Sequence, residues 1–176
     1  MSEIIGKIFS ELIGKPSWNV KKGHGSFITF EFGKPFVEIG EVFETSMPFK
    51  FTYQSRHSYV HGEWHLWIYM CNWIVSYKDN EICHSESEDL EIHRACGFLN
   101  GQSIKSVSLN PDGSTCFLFD LNGCLLTIPY AEETEPNDTW LLYRPDNKVF
   151  SLRSDQHYCY SHKNSESEDE KYYKLK

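Results

Sequence analysis

The chain has 176 residues, of which 40% are apolar and 15% aromatic, with a formal net charge of −8. That length suits one domain with a core large enough to need no disulfide or metal staple, since about 70% of the unfolded surface is buried at this size. The acidic balance argues against nonspecific nucleic-acid binding and against docking on anionic lipid, both of which need clustered Lys and Arg, and it favours basic partners.

The opening stretch, MSEIIGKIFSELIGK, lacks the basic n-region of a signal peptide, and charges interrupt its apolar residues. No apolar run approaches the ~18 residues of a membrane span. The chain therefore reads as a cytoplasmic protein. Its six cysteines, Cys71, Cys83, Cys96, Cys116, Cys124 and Cys159, form no CxxC pair and read as reduced, mostly buried thiols.

Residues 2–13 carry Ile4, Ile5, Ile8, Phe9 and Leu12 at helical spacing, closed by Gly14 and Pro16. From Trp18 the period changes to two. Phe27–Phe32 and Phe36–Ile39 read as strands of one hairpin joined around Gly33-Lys34-Pro35. Glu63–Tyr77 is apolar on both parities. It predicts one long central strand, bent near Cys71-Asn72, with Trp64, Leu66, Ile68 and Met70 buried on one side and Trp67 and Tyr69 mostly buried on the other. A second helix is expected over 87–99, capped by Ser87, with Leu90, His93 or Arg94, and Phe98 near one face.

The remainder reads as hairpins. Ile104–Leu109 turns through Asn110-Pro111-Asp112-Gly113 into Thr115–Leu121, and Asn122-Gly123 predicts a two-residue type I′ turn into Cys124–Ile128. An acidic loop, 132–138, leads to Trp140–Tyr143, and Pro145-Asp146-Asn147 turns into Val149–Arg153. Residues 161–176 are polar and aperiodic, and read as a flexible charged tail behind a single domain of residues 1–160. The fold class expected is α+β: a mainly antiparallel sheet of seven to nine strands, sandwich or open barrel-like, with an N-terminal and a mid-chain helix packed on it.

Two constellations could carry chemistry. His61-Gly62-Glu63-Trp64-His65 places His, Glu and His at i, i+2 and i+4, one face of a strand, in residue types that zinc or non-haem iron accepts. The same pattern also describes a polar strand entrance facing water. Cys83-His84 with His93 and Cys96 lacks the paired spacing of structural zinc. Gly23-His24-Gly25-Ser26 precedes a strand, where a phosphate-cradling loop needs a helix. No nucleophile signature occurs.

The stretches Gly23–Gly33, Gly62–Trp73 and Trp140–Arg153 resemble, in general pattern over most of residues 15–160, small bacterial single-domain proteins of unknown function that are immunity-protein-like in style, some of that style being immunity proteins of toxin systems. The resemblance transfers no catalytic or binding residue. With the net charge of −8, the acidic loop and the lack of a catalytic signature, the expectation is a non-enzymatic protein-binding domain, an acidic neutraliser of a basic partner. The residues expected to meet that partner are Glu132, Glu133, Glu135 and Asp138, on a loop between two strands. The alternative is a small metal-dependent enzyme built on His61, Glu63 and His65. No catalytic residue and no cofactor is assigned.

Overall fold

The computed structural model describes residues 3–46, 52–131, 135–165 and 170–175. The N-terminal helix α1 spans Glu3–Phe9, and residues 10–14 continue as turns rather than as the helix expected to residue 13. Its apolar stripe is nevertheless buried as a unit: Ile5, Ile8, Phe9 and Leu12 all belong to the core. The Phe9 ring sits edge-on to Phe117 at 5.8 Å and to Trp140 at 5.6 Å.

Those two rings belong to different sheets. The first sheet has seven strands in the order β1 (Ser17–Lys22), β2 (Ile28–Phe32), β7 (Trp64–Ile68), β13 (Asp138–Tyr143), β14 (Lys148–Arg153), β15 (His157–His162) and β16 (Tyr173–Lys174). The second has five, in the order β10 (Ile104–Leu109), β11 (Thr115–Phe119), β12 (Gly123–Ile128), β8 (Asn72–Tyr77) and β9 (Asn80–His84). Among the described residues all pairings are antiparallel and the sheets are open, with no closed barrel, so the class is α+β. The inner faces meet. Phe30 of β2 stacks on Phe119 of β11 at 6.0 Å, and Trp140 Nε1 donates to Thr115 Oγ1 at 3.0 Å. Helix α2 (Asp89–Leu99) covers β1 and β9 with Ile92, Ala95, Cys96 and Leu99.

The single long strand expected over Glu63–Tyr77 is two strands in two sheets. Trp64, Leu66 and Ile68 point inward from β7, and Cys71, Trp73 and Val75 point inward from the next segment. The buried parity shifts by one residue between Ile68 and Cys71, because the chain must present an inner face first to one sheet and then to the other. Tyr69 and Met70 donate their amides to Thr139 and Asp138 across this crossing, and Met70 is consequently half-buried rather than in the core. Trp67 and Tyr69 are also half-buried, on the outer face.

Other local expectations are corrected by long-range pairing. β2 and β3 (Phe36–Ile39) do not form a hairpin: β2 pairs with β1 and β7, while β3 pairs with β6 (Ser58–His61). β4 (Phe43–Ser46) pairs with β5 (Thr52–Ser55), so residues 36–46 and 52–61 form a two-stranded arm. The left-handed pair of a two-residue turn lies at Lys78-Asp79, with φ of 47° and 65°, where Tyr77 pairs with Asn80. At Asn122-Gly123 only Asn122 is left-handed, closing a three-residue loop after Phe119. At Gly123 a Cβ would lie 2.7 Å from Gln102 Oε1, which accepts the Gly123 amide, so the end of the Gln102 side chain would have to move aside. Helix α2 starts after Glu88, and Ser87 Oγ accepts the His84 amide rather than capping the helix; Leu90 is exposed. At the C-terminal end, where a tail was expected from residue 161, β15 runs to His162 and β16 extends the first sheet beside it.

Of the six cysteines, Cys71, Cys83, Cys96 and Cys159 are buried. Among the described residues, no helix is long and apolar enough to cross a membrane.

Ile68 is fully buried at the inter-sheet crossing, whereas Ile39 on the arm is 56% exposed. Ile68→Ala should therefore cost ~2–5 kcal/mol in urea melts. Ile39→Ala should stay within about 0.5 kcal/mol of wild type. Similar losses for both would contradict the division into packed body and exposed arm.

Candidate binding site at the root of the arm

The outer face of the first sheet carries a cross-strand row in which Glu31 of β2 pairs with His65 of β7, and His65 with Tyr143 of β13. Glu31 alternates with the core residues Phe30 and Phe32, so strand periodicity points it away from the core. It is nonetheless only 1% exposed, because the base of the arm folds over it. β6 ends at His61, the chain bends at Glu63, and β7 begins at Trp64.

Three donors converge on this carboxylate. His65 Nδ1 lies 2.8 Å and His61 Nδ1 3.3 Å from Oε1, and the Gly62 amide donates to Oε2 at 2.9 Å. Gly62 is glycine for a steric reason: a Cβ there would collide with the backbone carbonyl oxygen of Phe32. Burial pushes the Glu31 carboxyl up, but the hydrogen bonds from His65, Gly62 and His61 more than offset this and hold it below the ordinary range.

The expected His61/Glu63/His65 face is thus half right. The two histidines do meet, but Glu63 is exposed and accepts the Lys34 amide at 3.0 Å, and Glu31 takes its place in the cluster. The bend at Glu63 separates β6 from β7, so strand periodicity does not carry across it. The signal for Glu31 was present as the lone charge in the apolar run Phe27–Phe32. Cys83, His84, His93 and Cys96 form no ligand group among the described residues: both cysteines are buried and both histidines exposed.

Above the cluster is an open cleft of about 660 Å³, whose lining includes Phe36, Glu38, His61, His65, Trp67 and Arg144. That is the size range of small-ligand and anchor-residue pockets. Arg144 is not a free anion receptor. Its guanidinium lies 4.8 Å from the Trp64 ring centroid, donates to the Ile8 carbonyl at 3.0 Å, and is flanked at 3.6 Å by Glu11 and Asp146.

Beyond the cleft, rings continue along one face of the arm. His65 meets His61 at 5.8 Å, His61 meets Tyr59 at 6.1 Å, Tyr59 meets His57 at 5.8 Å, and His57 stacks on Phe43 at 4.7 Å. The opposite face carries Val37, Ile39 and Val60, all at least half exposed.

The acidic loop lies at the other end of β13 from Tyr143, roughly 17 Å from the cleft at ~3.4 Å per residue. Glu132 and Glu133 fall outside the described residues. Glu135 is exposed, while Asp138 is half-buried in β13, and burial holds its carboxyl above the usual range.

The Glu31 arrangement fixes a pH dependence. A carboxyl whose folded-state pKa is lowered stabilises the fold above its unfolded value, near 4.5, and that contribution fades as pH falls through the folded value. Glu31→Gln should therefore lower the urea midpoint at pH 7, and the gap from wild type should narrow as pH is taken down below 4.5. A gap that stays constant or widens in acid would contradict the assignment.

Comparison of the chain with known protein families, curated proteins and solved structures gave no match.

Proposed function

We propose that the chain is a non-enzymatic binding domain that engages a basic protein partner through its two-stranded arm. The observation carrying this reading is the distribution of apolar surface. Of the fifteen large hydrophobic side chains exposed among the described residues, eight lie on the arm: Phe36, Val37, Ile39, Val42, Phe43, Tyr53, Tyr59 and Val60. Exposed apolar side chains concentrated on one element, here an aromatic face and an aliphatic face of the same ribbon, mark interaction surfaces, whereas scattered single residues do not.

The ribbon geometry supports the same reading. A two-stranded ribbon is marginally stable by itself. Its outer edges also leave backbone donors and acceptors open to an added strand. At ~3.3 Å per residue, eleven residues from Phe36 to Ser46 give the arm a reach of roughly 35 Å. Among its described residues Glu38, Glu41 and Glu44 stand along it against Arg56, and the chain carries −8 overall, which favours a basic partner and speeds its approach. An immunity-type neutraliser of a basic toxin is the form of this function that the resemblance implies. The acidic loop at 132–138 then acts at a distance, by steering.

Affinity capture with purified protein, followed by binding kinetics on the captured partner, tests this. The Val37→Ser, Ile39→Ser, Val60→Ser triple variant should keep the wild-type urea midpoint within about 0.5 kcal/mol and lose at least about tenfold in affinity, mostly through faster dissociation. Reversal of Glu132, Glu133 and Glu135 to Lys should slow association at low salt and leave dissociation nearly unchanged. Full binding by the arm variant would overturn the reading, and loss of binding on loop reversal alone would move the contact to the loop.

A further inference from the structure

We propose that Glu31, His61 and His65 form a site for one divalent transition-metal cation of the zinc type, which clamps the root of the arm to the first sheet. The inference concerns the isolated chain and does not depend on the arm having a partner.

The geometry is close to what such an ion requires. One ligand atom from each residue lies within 4.8 Å of the other two. Zinc bonds of ~2.0–2.1 Å at tetrahedral angles set neighbouring donors ~3.3–3.4 Å apart. His61 Nδ1 stands 3.3 Å from Glu31 Oε1, His65 Nδ1, at 2.8 Å, opens by about half an ångström, and the two ring donors, within 4.8 Å of each other, swing toward the same spacing by rotation of the two side chains. Two imidazoles and one carboxylate are a donor set that both zinc and ferrous iron accept.

The outer contacts orient these donors. Glu31 Oε2 is held by the Gly62 amide, leaving Oε1 turned to the two rings. His61 Nε2 faces Glu38 Oε2 at 3.8 Å, so a carboxylate stands behind the ring on the side away from the ion, the usual outer partner of a metal-bound histidine. The carboxylate is buried while both rings line the open cleft, so an ion has a protein floor, an entry path and room for water or a partner's side chain in the remaining position.

Loading requires a defined proton movement. A ring that carries its proton on Nδ1, toward Glu31, releases that proton to solvent and takes one from water at Nε2, so that Nδ1 becomes a lone-pair donor and the ring's proton count is unchanged. At His61 the new Nε2–H points toward Glu38. The ion then joins β6, at the end of the arm, to β2 and β7 of the body, replacing two hydrogen bonds with three coordinate bonds.

The full chain, stripped with chelator, is titrated with Zn²⁺ by calorimetry and with Co²⁺ by visible absorption. The expected result is one ion per chain, a raised thermal midpoint, and tetrahedral or five-coordinate cobalt bands. His61→Asn and His65→Asn, at half-exposed positions where folding is checked by circular dichroism, should each weaken uptake at least ~100-fold, and Glu38→Gln about tenfold. His157→Asn, remote from the cluster, should change nothing. Glu31→Gln is the less informative variant because it also disturbs a buried carboxylate. Absence of stoichiometric uptake by the wild-type chain, or uptake that survives both histidine substitutions, would overturn the proposal and leave the cluster as a hydrogen-bonded triad.

Discussion

An ionised carboxylate at 1% exposure is costly unless every lone pair that faces the protein is met. Glu31 satisfies that demand with groups that all come from the segment where the arm rejoins the sheet: the His61 ring, the Gly62 amide and the His65 ring. Bonds of this charge-assisted type contribute about 1.5–3 kcal/mol each, whereas a lost partner leaves a buried charge. The consequence is directional. The chain can leave β2 at Phe32, travel out along the arm, and return to β7 with its register fixed at Glu31 opposite His65. Gly62 makes the arrangement sterically possible by letting the backbone pass against Phe32.

The arm itself is organised differently from the body it leaves. The two sheets are held by inward rings from β2, β7, β11, β13 and β14, closed at one end by Phe9. Among its described residues the arm has no such interior: one face is a row of rings and the other is aliphatic, and both meet solvent. Its structure therefore rests on ladder hydrogen bonds, on ring contacts and on its root. An arm of that construction contributes little to the stability of the body. Under the proposed binding role, the contacts at its root would set the direction in which its exposed surface is presented.

Much of the body is legible in the sequence, and the failures are instructive. The helical stripe Ile5–Leu12, the hairpin through Asn110-Pro111-Asp112-Gly113 and the antiparallel class follow from local period and turn chemistry. The crossing at Tyr69–Cys71 was visible only as a bend, because a run that is apolar on both parities fits one doubly covered strand as well as two strands of opposite parity. The type I′ turn went to Lys78-Asp79, which carries no glycine, while Asn122-Gly123 answered to Gln102, a contact 21 residues away in sequence. At the site, His61 and His65 could be picked out by spacing. Glu31 could not, since its place beside them depends on β2 pairing with β7 across the whole arm. The arm was hidden for the same reason: its strands read like ordinary sheet strands, and only the pairing of β3 with β6 instead of β2 exposes their apolar faces.

The Gly62 amide reports the central constraint directly, because its hydrogen-bond acceptor is a side-chain carboxylate rather than a neighbouring strand. Hydrogen exchange of this amide, followed by NMR on the intact chain at neutral pH, separates a root fixed by Glu31 from one that is merely adjacent to it. The account predicts that Gly62 exchanges as slowly as the amide of Leu66 in the central strand β7. Exchange of Gly62 at the rate of an unprotected amide, with Leu66 still protected, would contradict it.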